Sequence, residues 1–168
     1  MASDARDEGF LGELAKALRE TRIDAIVVGN VASLLAGANV LTAAVDLLVR
    51  NTPLNHKKLR ALATAMGGSG PMRISDLASD VQRIYGPDVP IDVIFDHIPG
   101  KLSFASVKAR ARPVVFGAEI LMVAALADVI HSKQAAGRPK DVAVLPILQA
   151  TLAARRELGL EPPEARKR

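Results

Sequence analysis

Ala25-Ile-Val-Val-Gly29-Asn30-Val-Ala-Ser-Leu-Leu-Ala-Gly37, followed by Leu41-Thr-Ala-Ala44-Val-Asp46-Leu-Leu-Val49, is the stretch that decides the fold. A β-branched run from Ile23 to Val28 ends at Gly29, and Val31 to Ala36 reads as a short helix closed by Gly37. Val45 to Val49 is a second strand, apolar enough to be buried on both faces except at Asp46. Strand, turn, helix and strand follow one another with almost no connecting chain.

Working outward, Phe10, Leu11, Leu14 and Leu18 recur at helical spacing and predict an amphipathic helix over Glu8 to Arg22. Pro53 introduces a further helix from Leu54 to Met66. Gly67-Gly-Ser-Gly-Pro71 lacks the lysine and the strand-to-helix context of a phosphate-binding loop and reads as a plain turn. Val81 to Tyr85 and Ile91 to Phe95, joined by Gly86-Pro-Asp-Val-Pro90, predict an antiparallel pair. Strands are expected at Arg112 to Phe116 and Glu119 to Met122. Helices are expected over Ala124 to Ala135 and Lys140 to Leu158, with a break at Gly137 and Pro139. Leu145, Leu148 and Leu152 set the buried face of the last helix. Residues 1–160 are expected to form a single domain, and 161–168, with two prolines and mixed charge, a disordered tail.

Composition narrows the chemistry. The chain has no cysteine and three scattered histidines, so disulfides, thiolate metal sites and a zinc cage are excluded, and any metal must be held by oxygen. No run of apolar residues is long enough to cross a bilayer, and the N-terminus is polar and acidic, which predicts a cytoplasmic protein with no membrane partner. A net charge of +4 suits a phosphate-bearing partner. With aromatics at 3% of residues, extensive stacking on single-stranded nucleic acid is not available, which weakens a pure RNA-binding reading.

Asp46 and Asp92 are each a lone carboxylate in an otherwise apolar strand. A buried carboxylate is costly unless it is paired or binds a cation. Side by side, the two strands would converge their charges on one spot, which suits a hard divalent cation such as Mg²⁺. The alternative is that each aspartate sits at a strand end in water, or pairs with one of the many arginines.

Gly29-Asn30, Asp46, Asp92 and the later Ser132-Lys133-Gln-Ala-Ala-Gly137-Arg138-Pro139-Lys140-Asp141 together resemble the polymerase-β-type nucleotidyltransferase superfamily, above all its minimal toxin and antitoxin members. The similarity spans Ile23 to Leu148. It implies an α+β nucleotidyltransferase fold: a small mixed sheet carrying the carboxylates near its strand ends, helices on one side, and a C-terminal helical pair closing the cleft. It also implies a two-ion Mg²⁺ site held by Asp46 and Asp92, with Asp92 able to accept the nucleophile's proton. Gly29 and Asn30, with Lys133, Arg138 and Lys140, would receive the triphosphate of a nucleoside triphosphate. The acceptor would be a hydroxyl of a protein, an RNA or a small molecule.

Two positions depart from the family pattern. Ala44 stands where the family has the first Asp or Glu of an Asp-x-Asp motif, and Asn30 replaces a small Gly or Ser. Losing a metal-bridging carboxylate removes several kcal/mol of transition-state stabilisation, at about 1.4 kcal/mol per tenfold in rate. The readings are therefore a nucleotidyltransferase of weak or absent activity, or a non-catalytic nucleotide-binding, antitoxin or regulatory protein on the same fold. A basic RNA-binding module is a third.

Overall fold

The computed structural model describes residues 2–74 and 80–161. Its elements in chain order are α1 (Ala2–Thr21), β1 (Ala25–Val28), α2 (Gly29–Leu35), β2 (Val45–Val49), α3 (Pro53–Ala65), β3 (Ser69–Arg73), β4 (Gln82–Tyr85), β5 (Ile91–Phe95), β6 (His97–Ile98), β7 (Leu102–Ser103), α4 (Phe104–Arg110), β8 (Arg112–Phe116), β9 (Glu119–Val123), α5 (Leu126–Ala136) and α6 (Pro139–Glu157). Seven strands form one sheet in the order β3-β4-β5-β2-β1-β9-β8, and β6 and β7 form a separate two-stranded ribbon.

The sheet is mixed, as expected. β1 runs antiparallel to β2, β2 parallel to β5, and β4 antiparallel to β5. β1 is parallel to β9, which is antiparallel to the edge strand β8. Successive side chains of a strand point to opposite faces. In β1 all four residues are buried, and in β2 Leu47, Leu48 and Val49 are all at 0% exposure. Both faces of the central strands are therefore covered, and the expectation of helices on one side only is corrected. α1 packs on α3 and β9, whereas α2 packs on β1, β2 and α5, and α5 on α6. Full burial of a leucine side chain contributes about 2 kcal/mol, so this doubly covered centre carries much of the fold's apolar stabilisation.

Local chemistry sets the helix starts. Thr52 accepts a hydrogen bond from the Asn55 amide at 3.1 Å while Pro53 occupies the first turn of α3. Ser103 caps α4 in the same way, through the Ser106 amide at 3.2 Å. Among the described residues no helix is long and apolar enough to cross a membrane.

One segment departs from its predicted form. Gly67 makes a turn, but Ser69, Gly70 and Pro71, expected to continue that turn, begin the edge strand β3. An edge strand tolerates Pro71, because its missing N–H is not needed by a second neighbour. A Cβ at Gly68 would lie 2.3 Å from the Tyr85 carbonyl oxygen, so the glycines there serve close approach to β4 rather than flexibility. The ribbon β6–β7 and α4 were not anticipated. Of the expected disordered tail, residues 162–168 lie outside the described residues.

Candidate active-site cleft

Register brings the two aspartates together. Val28, Asp46 and Asp92 are successive partners across β1, β2 and β5, and Arg83 of β4 is the next partner beyond Asp92. Neighbouring strands lie about 4.8 Å apart, so this row places one cation and two carboxylates side by side on one face of the sheet.

Asp46 faces the turn into α2. Gly29 adopts φ +68, and a Cβ there would lie 2.3 Å from the Asp46 Oδ2. Glycine is required twice over, for the left-handed backbone and for the space that the carboxylate occupies. Among the described residues no group donates a hydrogen bond to Asp46. Burial, then the neighbouring Asp92 charge, pushes its carboxyl up to about 6, against the opposing pull of Lys133, Lys140 and Arg138.

Asp92 is bound differently. Arg83 Nε donates to its Oδ1 at 2.6 Å and Nη2 to its Oδ2 at 3.0 Å, so both oxygens are engaged. The reading in which an aspartate pairs with an arginine thus holds for Asp92. Arg83 was missed from sequence; only the register of the β4–β5 hairpin places it opposite Asp92.

The far wall of the cleft is the α5–α6 corner. Gly137 ends α5 in the left-handed conformation at φ 62, Arg138 is extended, and Pro139 opens α6. Arg138 Nε donates to Asp141 Oδ2 at 2.6 Å, and Lys133 Nζ lies 3.5 Å from Asp141 Oδ1. Asp141 is 2% exposed. Burial alone would raise its carboxyl, but the Arg138 hydrogen bond and the Arg138 and Lys133 charges outweigh this and hold it below the usual range. The Gly-Arg-Pro-Lys-Asp segment is therefore a helix-start unit whose buried aspartate fixes two cations in place.

Val28, Gly29, Asp46, Ser132, Lys133 and Arg138 all border one open cleft of about 100 Å³, with Ile94, Ile98 and Pro99 on its apolar side. The structure brings Gly29, Asp46, Lys133 and Arg138 to the cleft, with Asp92 beside Asp46 in the sheet. Lys140 acts on Asp46 through charge and does not line the cleft. Asn30 Nδ2 donates to the Leu41 carbonyl at 3.0 Å, tying α2 to the loop before β2, and its Oδ1 is buried without a partner among the described residues.

The donors present do not fit a two-ion magnesium site. Arg83 occupies both oxygens of Asp92, Ala44 offers no ligand, and no group of three or more His, Cys, Asp or Glu gathers among the described residues.

No family model and no curated protein matches the chain by sequence. Solved structures do. The solution structure of the antibiotic-resistance factor ANT(2'')-Ia superposes with a TM-score of 0.64 at 13% identity, covering 94% of this chain and 90% of that one. The crystal structure of ANT(2'')-Ia in complex with adenylyl-2''-tobramycin gives 0.63 at 13% identity over 92% of this chain and 94% of that one. A Thermotoga maritima protein described as a nucleotidyltransferase gives 0.53 at 14% identity, over 90% and 91%. The chain has the nucleotidyltransferase fold.

Proposed function

We propose that this protein is a nucleotidyltransferase-type nucleotide-binding protein whose cleft receives the phosphates of a nucleoside triphosphate. The observation that carries the reading is Asp46. It is a carboxylate with no hydrogen-bond donor among the described residues, inserted beside a glycine whose missing Cβ leaves room for it, and facing cations held by a buried aspartate. A structural role does not account for so costly an arrangement. Lys133 and Arg138 bind phosphate oxygens, and Gly29 lets the ligand approach the backbone at the start of α2. Asp46 orients the reacting end and, with its carboxyl near 6, takes up a proton from a hydroxyl acceptor.

Transfer of a nucleoside monophosphate to a protein, RNA or small-molecule hydroxyl is the chemistry of this lineage, which in the family runs through Mg²⁺. A small-molecule hydroxyl is the acceptor class that the adenylyl-tobramycin complex of ANT(2'')-Ia supports. On the first reading this chain performs that transfer feebly. Ala44 supplies no carboxylate and Asp92 is engaged by Arg83, which favours the second reading, a nucleotide-binding regulatory or antitoxin-like protein on the same fold. Incubation with radiolabelled nucleoside triphosphates and cell lysate separates the two. The first reading predicts label on an acceptor, increased in a protein carrying both Ala44→Asp and Arg83→Ala; the second predicts bound nucleotide and no label with either protein.

A further inference from the structure

We propose that Arg83, by neutralising Asp92 in the sheet beside the cleft, stands in for a divalent ion, so that nucleotide phosphates bind in the cleft without one. This rests on the nucleotide reading above and concerns how the two aspartates are neutralised.

Arg83 and Asp92 are register partners on β4 and β5, and the guanidinium meets both carboxylate oxygens at 2.6 and 3.0 Å. A planar fork matched to a carboxylate is the strongest arrangement available to an ion pair of side chains, and arginine does not lose its charge. The Arg83 side chain is 32% exposed and that of Asp92 15%, so the pair is partly shielded from water and from screening by salt. Both groups stand on strands, which hold them in place before any ligand arrives.

Around Asp46 the structure assembles four cations, Arg83, Lys133, Arg138 and Lys140, against three carboxylates, Asp46, Asp92 and Asp141. The cluster is already positive. A divalent cation would add to that excess and would have to displace Arg83 from Asp92; a phosphate group reduces the excess. A carboxylate in place of Ala44 would have made the count even, four against four.

Arg83 also leaves one nitrogen free. Its Nε and Nη2 are used by Asp92, while Nη1 makes no hydrogen bond among the described residues. Arginine therefore neutralises one aspartate and keeps donors in reserve, which a bare lysine could not do in the same geometry.

Calorimetric titration with ATP, at fixed ionic strength and in either Mg²⁺ or EDTA, tests this. The wild-type protein is expected to bind ATP within about threefold of the same affinity in both buffers, a difference well under the ~1.4 kcal/mol of a tenfold change. Arg83→Ala bares two adjacent carboxylates to the anion. Its affinity in EDTA is expected to fall about tenfold or more and to recover in Mg²⁺, so that the substitution creates a metal dependence. Arg83→Lys, with the charge retained, controls for folding and should stay nearer the wild type in EDTA. Wild-type ATP binding that collapses in EDTA overturns the proposal while leaving the nucleotide reading intact, as does an Arg83→Ala protein with unchanged affinity in EDTA. No ATP binding in either buffer overturns both. Mn²⁺ alone, followed by its electron paramagnetic resonance signal, gives an independent readout: the wild type should leave the free-ion signal undiminished, and capture of Mn²⁺ by the wild type contradicts the assignment.

Discussion

Arg83 grips Asp92 across the β4–β5 pair with two hydrogen bonds, Nε to Oδ1 at 2.6 Å and Nη2 to Oδ2 at 3.0 Å. Asp92 in turn is the register partner of Asp46. Removing Arg83 leaves two neighbouring carboxylates with one fewer cation, so Arg83→Ala should destabilise the fold by about 2 kcal/mol, below the range for a fully buried pair because this one is part-exposed. The Arg83→Ala, Asp92→Ala double substitution should cost less than the sum of the single ones. Urea unfolding of the four proteins measures the coupling, and strict additivity would rule out an energetic link between the two residues.

Asp46 gives stability a definite pH dependence. Its folded carboxyl sits at about 6, above the unfolded value of 3.8, so the folded state binds the proton more tightly. Its penalty is complete above pH 6 and is relieved as pH falls toward 4. Linkage puts the cost at about 2–3 kcal/mol at neutral pH. Asp46→Asn should therefore be more stable than the wild type at pH 8 by roughly 1–3 kcal/mol, with the advantage shrinking between pH 6 and 4, while nucleotide-dependent chemistry is lost. Thermal unfolding across pH reads this out; an Asp46→Asn protein that is less stable than the wild type at pH 8 would contradict it.

Gly29 is the tightest point of the site. Alanine there would adopt φ +68 and place its Cβ 2.3 Å from the Asp46 Oδ2, so the carboxylate must move. The backbone contribution alone is about 1 kcal/mol. Gly29→Ala is expected to fold with a lowered melting temperature and to lose most ATP affinity, whereas Gly117→Ala, with φ +62 but open space around it, should show the stability loss without the binding loss. Equal ATP affinity in the two proteins would separate Gly29 from the ligand.

Asp141 works in the opposite sense to Asp46. Its carboxyl is held below the usual range, so its stabilisation is present above the unfolded value and is lost as pH falls through the folded one. Asp141→Asn should cost about 2–4 kcal/mol at pH 7, since it leaves Lys133 and Arg138 without their buried partner, and the difference from wild type should narrow in acid. Chemical unfolding at pH 7 and at pH 3 checks both statements.

Much of the fold was legible in local pattern. β2, β5 and β8 fall on the predicted residues, because an unbroken or alternating apolar run bounded by turn residues has few other readings. The neighbouring placement of the two carboxylate-bearing strands is what the family resemblance implies, whereas the cost of burying a lone charge leaves pairing with arginine equally open. What escaped depends on relations between distant segments. Glycine and proline in Ser69–Arg73 signal a turn in isolation, and only the neighbouring Tyr85 carbonyl shows why they suit an edge strand. Arg83 is one of many arginines until the hairpin register sets it opposite Asp92. The basic residues of the Ser132 to Asp141 segment were read as a phosphate clamp, and the buried Asp141 that organises them was not singled out, because its burial arises from how α5 meets α6.

The central claim is that the cleft between Gly29, Asp46 and the α5–α6 corner receives nucleotide phosphates. A crystal structure of the protein grown with ATP tests it most directly. The account predicts the phosphates in that cleft, within hydrogen-bond distance of Lys133 and Arg138 and beside Gly29, with Arg83 still on Asp92. ATP ordered at another surface, with this cleft empty, would contradict it.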